Sequence, residues 1–348
     1  MNNYDFYGGQ YDYAFEEARR LERKSLSKNA LTLGLLLIIY NIFQNVGVYV
    51  YYFVFYFVKA KAFTLNLDTV ISFIRDNLDS ISETEFEMFG NAFVTLFALV
   101  ILLIAAKLVF KIGVFGLVKT DSKGLSVGVK AFPFSMLLNF IFTLATSMVS
   151  AVFKAGGIVI PEAEFTVDKP TFLAGFSMFA YMVVLAPIIE ELVYRGFILK
   201  LLQPYGKTMA VFFSAFIFGF MHGNFSQFVT AFATGIVYAA VAVYSNSIAP
   251  TILMHMLNNG LNFIAICGED YGIDAFLTVY SVLFVVILLL GIMETFLFRN
   301  VIKKRPSDAC VLTLKERVKT VVFNPAMIIY FLYLLYSFVA QIIRANLK

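Results

Sequence analysis

The sequence predicts an all-α fold, a polytopic transmembrane helix bundle of about eight to nine spans. Three observations carry this reading. Of 348 residues, 60% are hydrophobic and only 14% charged, against about 45–50% and about 25% in soluble domains. The mean hydropathy is +0.81. The apolar residues also fall in long runs, and about 18 or more such residues suffice to cross a bilayer as a helix. The net charge of +4 collects in certain loops. That pattern speaks to orientation and gives no nucleic-acid surface.

Residues 1–28 read as a polar cytoplasmic tail ending in Arg19, Arg20, Arg23, Lys24 and Lys28, and 29–348 as a single multi-span membrane domain. Spans are expected near 30–58, 91–110, 134–153, 171–199, 208–223, 226–244, 248–266, 274–298 and 325–343. The first run is too long for a signal-peptide core and should act as an uncleaved anchor. Trp is absent, so Tyr49, Tyr51, Tyr52 and Tyr56 must supply an interfacial belt near one end of that span. Between 66 and 88, Leu67, Val70, Ile71, Ile74, Leu78 and Ile81 recur at helical spacing among acidic residues, which predicts an amphipathic surface helix. Residues 309–323 predict a second one on the basic side.

Loop charges alternate. The tail, the loop with Lys111, Lys119, Lys123 and Lys130, the turn with Arg195, Lys200 and Lys207, and the loop opening Arg299, Lys303, Lys304, Arg305 are basic. The loops with Asp68, Asp76, Asp79, Glu83, Glu85 and Glu87, with Glu162, Glu164 and Asp168, and with Glu269 and Asp270 are acidic. Basic loops stay on the cytoplasmic side. The N-terminus is therefore expected in the cytoplasm and the chain in the cell membrane, with lipid as its surroundings. Nine spans leave Arg344 and Lys348 outside, against that rule, so 325–343 alternatively re-enters or lies peripherally. Cys267 and Cys310 fall on opposite sides, and no disulfide between them is expected.

Three polar clusters interrupt the apolar spans of a motif core at about 171–266: Glu190-Glu191 with Arg195, Phe218 with His222, and His255 with Asn259. His222 and His255 are the only histidines in the chain. Ionisable residues cost roughly 2.5–3.5 kcal/mol each at membrane depth. Taken singly, each cluster also reads as structure: an ion pair at a helix end, or polar bonds between packed helices. Taken together they point to one shared site. Glu191 and Arg195 are i,i+4 neighbours and should pair, which leaves Glu190, about 100° away, free as a general base. Phe218 shares a face with His222 and could wall the site. His255, Asn259 and Asn262 share a face of another helix, where a histidine and an amide can stabilise an oxyanion. Asn258 lies off that face. His222 comes out deeper than the other groups, which requires a tilted or broken helix at Gly223-Asn224. The cavity is expected to open toward the basic loops.

These motifs resemble the CAAX-protease and bacteriocin-processing (Abi) family of intramembrane endopeptidases, which includes the type II CAAX prenyl endopeptidases. Its pattern of Glu-Glu-x-x-x-Arg, Phe-x-x-x-His and His-x-x-x-Asn is met in order by Glu190, Glu191 and Arg195, by Phe218 and His222, and by His255 and Asn259. The resemblance implies that Glu190 activates water with help from His222, that His255 and Asn259 stabilise the oxyanion, and that Glu191 and Arg195 shape or gate the site. The implied substrate is a membrane-associated or prenylated peptide. The family has been described both as zinc enzymes and as metal-free glutamate proteases. Glu190, His222 and His255 would make a three-ligand zinc set. No helix offers two ligands at i,i+4 and there is no His-Glu-x-x-His motif, which favours the metal-free form. Two alternatives stand beside hydrolysis. One is a non-catalytic bacteriocin immunity or binding protein of the same fold. The other is a small-solute transporter, although matching repeats are absent. Oligomeric state is not legible.

Overall fold

The computed structural model describes residues 3–77, 82–108, 111, 122–162, 166–298 and 310–347. Leu78, Asp79, Ile81, Lys119, Glu164, Arg299, Lys303, Lys304 and Arg305 lie outside them. The described chain is helical: α1 (Asn3–Ala60), α2 (Leu67–Asn77), α3 (Glu83–Leu108), α4 (Ser122–Ala155), α5 (Phe172–Met178), a π-helical stretch π1 (Phe179–Leu185), α6 (Ala186–Glu191), a second stretch π2 (Leu192–Leu199), α7 (Lys200–Leu202), α8 (Lys207–Phe220), α9 (Phe225–Ser245), α10 (Ala249–Asp270), α11 (Asp274–Phe298), α12 (Leu314–Val322) and α13 (Pro325–Asn346).

The amphipathic expectation near 66–88 resolves into α2, while 83–88 already belong to α3. The expectation at 309–323 corresponds to α12. The polar residues before 29 are not a loose tail. From Asn3 they form the opening turns of the same 58-residue helix as the first span. Ion pairs hold this extension. Arg19 reaches Glu16 at 2.6 Å and Arg20 reaches Glu17 at 3.0 Å. Arg19 and Arg23 both reach Glu316 of α12, at 2.5 and 2.8 Å.

Contacts between helix ends define two ends of the bundle. At the basic end, Asn324 donates to the Ser27 carbonyl at 3.0 Å, Asn29 to the Leu201 carbonyl at 3.0 Å, Arg317 to the Tyr205 carbonyl at 2.6 Å and Lys200 to Asn246 at 2.8 Å. At the acidic end, the Val167 N–H donates to Asp270 at 2.6 Å. Asp168 accepts from Ser82 Oγ, the Glu83 and Thr84 N–H groups and Thr84 Oγ1, at 2.6–3.0 Å. It thereby satisfies the otherwise orphaned amides at the start of α3. Asn346 exchanges two 2.8 Å bonds with the Val159 backbone. Helix α13 thus leaves the basic end at Asn324 and finishes at the acidic end, traversing the bundle.

Seven described helices are long and apolar enough to cross a membrane: 13–60, 83–108, 124–155, 172–205, 225–245, 274–295 and 325–346. The other two expected spans are α8 and α10. Helix α8 has 14 residues, short of the ~20 that span a bilayer. Helix α10 is long enough but carries His255, Asn258, Asn259 and Asn262. Helix α10 holds His255, and His222 lies in the turn just past the end of α8. The main core packs Leu33, Leu36 and Leu37 of α1, Leu102 of α3, Ile198 of π2, Phe213 and Ile217 of α8, and Met327 and Tyr330 of α13. The site lies along its flank.

Candidate active site

The glutamate pair stands on a helix that changes pitch on both sides of it. Helix α6 has six residues, with π1 before it and π2 after it. A π-turn closes i→i+5 bonds and so holds one residue more than an α-turn. Pro187, near the start of α6, has no N–H for the regular ladder and disfavours an unbroken α-helix there. The loosened backbone frees polar carbonyls inside the bundle. One of them, Met182 in π1, accepts from Asn259 Nδ2 at 2.8 Å.

Glu191 and Arg195 are both fully buried, with Arg195 Nη1 to Glu191 Oε1 at 2.9 Å. The i,i+4 spacing survives the change of pitch. The same oxygen of Glu191 lies 3.2 Å from His255 Nδ1. Arg195 Nη2 donates to the Gly235 carbonyl at 3.3 Å. The guanidinium sits over the Phe218 ring at 4.4 Å and the Tyr238 ring at 5.6 Å. A charge pair this deep survives only with such bonding around it.

Phe218 is the hub. Its ring meets His222 edge-on at 5.2 Å, His255 at 5.7 Å and Tyr194 at 5.2 Å. Two histidines, one in the turn after α8 and one in α10, therefore flank one aromatic ring. Helix α8 ends just past it. Gly223 takes φ +76°, a conformation in which a Cβ is strained. Asn224 then caps α9 by accepting from the Gln227 N–H at 2.9 Å. This is the break expected at 223–224.

Hydrogen bonding places a proton on Nδ1 of both imidazoles. His222 Nδ1 is 2.9 Å from the Phe218 carbonyl, which can only accept, so Nδ1 carries a proton, and in the neutral ring Nε2 has the lone pair. His255 Nδ1 faces a carboxylate oxygen and donates likewise. Its Nε2 looks at Glu190 Oε2, 3.8 Å away. Glu190 is the more accessible carboxylate of the pair, with 19% of its side chain exposed against none for Glu191. His255, not His222, is thus the histidine opposite Glu190.

Asn259 donates to Met182 and accepts from Asn258 Nδ2 at 3.1 Å, leaving one amide hydrogen for a ligand. Asn262 is exposed. Sequence reasoning missed Tyr238, Gly235 and the Met182 carbonyl. The first two share a face of α9 at i,i+3 spacing without any polar signature, and a backbone acceptor leaves no mark in a sequence.

No group of three His, Cys, Asp or Glu among the described residues is arranged to hold a metal ion. Each histidine bonds the protein through Nδ1, which leaves Nε2 as the available ligand atom, and among the described residues the His, Cys, Asp or Glu side chain paired with Glu190 is His255. Glu190, His222 and His255 are thus not gathered as a three-ligand site in this structure.

Residues 172–261 match the family model for Type II CAAX prenyl endopeptidase, Rce1-like. The matched stretch runs from α5 into α10 and takes in every motif residue from Glu190 to Asn259. No curated protein and no solved structure matches the chain. The Rce1-like segment places intramembrane proteolysis first among the activities that the site can serve.

Proposed function

We propose that the chain is an intramembrane endopeptidase in which Glu190 and His255 together activate water for attack on a peptide bond. The observation that carries this reading is the 3.8 Å separation of Glu190 Oε2 and His255 Nε2. Both atoms are acceptors once His255 Nδ1 holds the proton. Two acceptors at this separation suit a water that donates to both. A water held in that way has its lone pairs turned outward and is polarised as a nucleophile. Attack on the peptide carbonyl sends one water proton to Glu190. The free amide hydrogen of Asn259 lies on the same face as His255 and stabilises the oxyanion. Collapse of the tetrahedral intermediate breaks the C–N bond, and the proton on Glu190 passes to the leaving amine. His222, held by Phe218, borders this centre and supplies a second proton carrier.

The substrate is a membrane-associated peptide, and a lipidated cysteine peptide is the form that the Rce1-like match suggests. The test is cleavage of fluorogenic peptides, with and without a prenylated cysteine, by the purified chain in lipid vesicles. Wild type should cleave and Glu190→Gln should not, at equal folding and equal peptide binding. Activity should persist in chelator and should not rise on adding zinc. Full turnover by Glu190→Gln would remove the hydrolase reading and leave a binding protein of the immunity type.

A further inference from the structure

The Glu191–Arg195–His255 group is not held by the three motif helices alone. Helix α9, which carries none of the motif residues, closes it from the fourth side. Gly235 gives its carbonyl to Arg195 Nη2 at 3.3 Å. It also gives space: a Cβ there would stand 3.2 Å from Phe218 Cδ1 and 3.3 Å from Arg195 Nη2. One turn on, the buried Tyr238 ring touches both halves of the group. It lies 5.6 Å from the Arg195 guanidinium and 5.8 Å from the His255 imidazole. Its hydroxyl donates to the carbonyl of Met254, the residue just before His255, at 3.4 Å.

We propose that Tyr238, with Gly235 making room one turn before it, is the positioning residue that holds the His255 ring so that Nδ1 meets Glu191 and Nε2 faces Glu190. Phe218 and Glu191 also touch both Arg195 and His255, and Tyr238 is the contact that α9 adds to them. Without the Tyr238 ring, His255 has space to rotate about its side-chain torsions. The imidazole then loses its fixed tautomer, although Glu191 and Arg195 remain in place. Tyr238 touches no reacting atom, so its effect runs through His255.

This inference rests on the hydrolase reading for its kinetic consequence but not for its structural one, and the experiment separates the two. The chain holds two histidines, so uniform ¹⁵N-histidine labelling in lipid bilayers gives two imidazole spin systems, assigned with His222→Gln. In wild type, both should show the Nδ1–H tautomer at neutral pH. Tyr238→Leu should turn the His255 signals into a tautomer mixture and leave His222 unchanged. Tyr238→Phe, which keeps the ring, should retain the wild-type pattern. In the peptide assay, Tyr238→Leu should lower kcat about 10²-fold, the size of a misplacement of about 1 Å, with KM nearly unchanged and Tyr238→Phe close to wild type. Gly235→Ala should act in the same direction. An unaltered His255 signal in folded Tyr238→Leu overturns the positioning role, whatever the activity. Altered His255 signals in a chain whose wild type cleaves nothing would uphold the positioning role and sink the hydrolase reading alone.

Discussion

At the scale of single residues, Arg195 has the least freedom to change. It is fully buried, bonded to Glu191 and Gly235, and stacked on Phe218. Arg195→Ala takes the guanidinium away from the fully buried Glu191 carboxyl. Removing one partner of a buried pair typically costs about 3–5 kcal/mol, so the variant should unfold at markedly lower denaturant in detergent. Arg195→Ala combined with Glu191→Gln should recover much of that loss, because no uncompensated charge is left. Asn259→Ala has a different signature. It forfeits the bond to Met182 and, in the proposed mechanism, an oxyanion donor, whose loss should lower kcat by ~10²–10³. The Glu191–Arg195 pairing was legible from spacing, since i,i+4 neighbours meet on any helical face. The pairing of His255 with Glu190 was not legible. It depends on the angle at which α10 passes α6, and two π-turns shift that angle by amounts that residue types do not encode.

At the scale of elements, the site is set by how the ends of helices are tied. The Asp168 clamp joins the loop before α5 to the start of α3. Partial burial pushes this carboxyl up, but bonds from Ser82, Thr84 and Glu83 outweigh that, and its pKa falls well below the usual carboxylate range. A group with a depressed folded-state pKa stabilises the fold above its unfolded pKa, roughly 4, and loses that contribution as pH falls further. Asp168→Asn should therefore lower the melting temperature at pH 7, and the gap to wild type should close as pH drops below about 4. A gap that stays constant across that range would show that the clamp does not depend on charge. The hydrophobic runs predicted these elements because their period and length are set by lipid. They did not predict that the first polar residues extend α1, since the ion pairs to Glu316 of α12 are formed by residues almost 300 positions apart.

At the scale of the whole molecule, α1 begins and α13 begins at the basic end, and α13 finishes beside Val159 at the other. Labels placed before α1 and after α13 should consequently report opposite sides of the membrane. Labels before α1 and between α3 and α4 should report the same side. Agreement between the two chain ends in a membrane-impermeant cysteine-labelling assay would contradict the traverse by α13. The bundle was legible as a stack of apolar runs. The placement of α8 and α10 was not, because a helix too short or too polar to face lipid differs from an ordinary span only in what surrounds it.

The two changes of pitch around Glu190 and Glu191 carry one more consequence. A stretch with one residue too many per turn is a single deletion away from a regular helix. Removing Val184 from π1 would let 172–191 wind as ordinary α-helix, rotating everything before the deletion by about 100° relative to Glu190. The Met182 carbonyl would swing off Asn259. Such a protein would keep its hydrophobic spans, its loop charges and every residue of the motifs. It would insert and pack as a membrane bundle, and its site would be out of phase with itself.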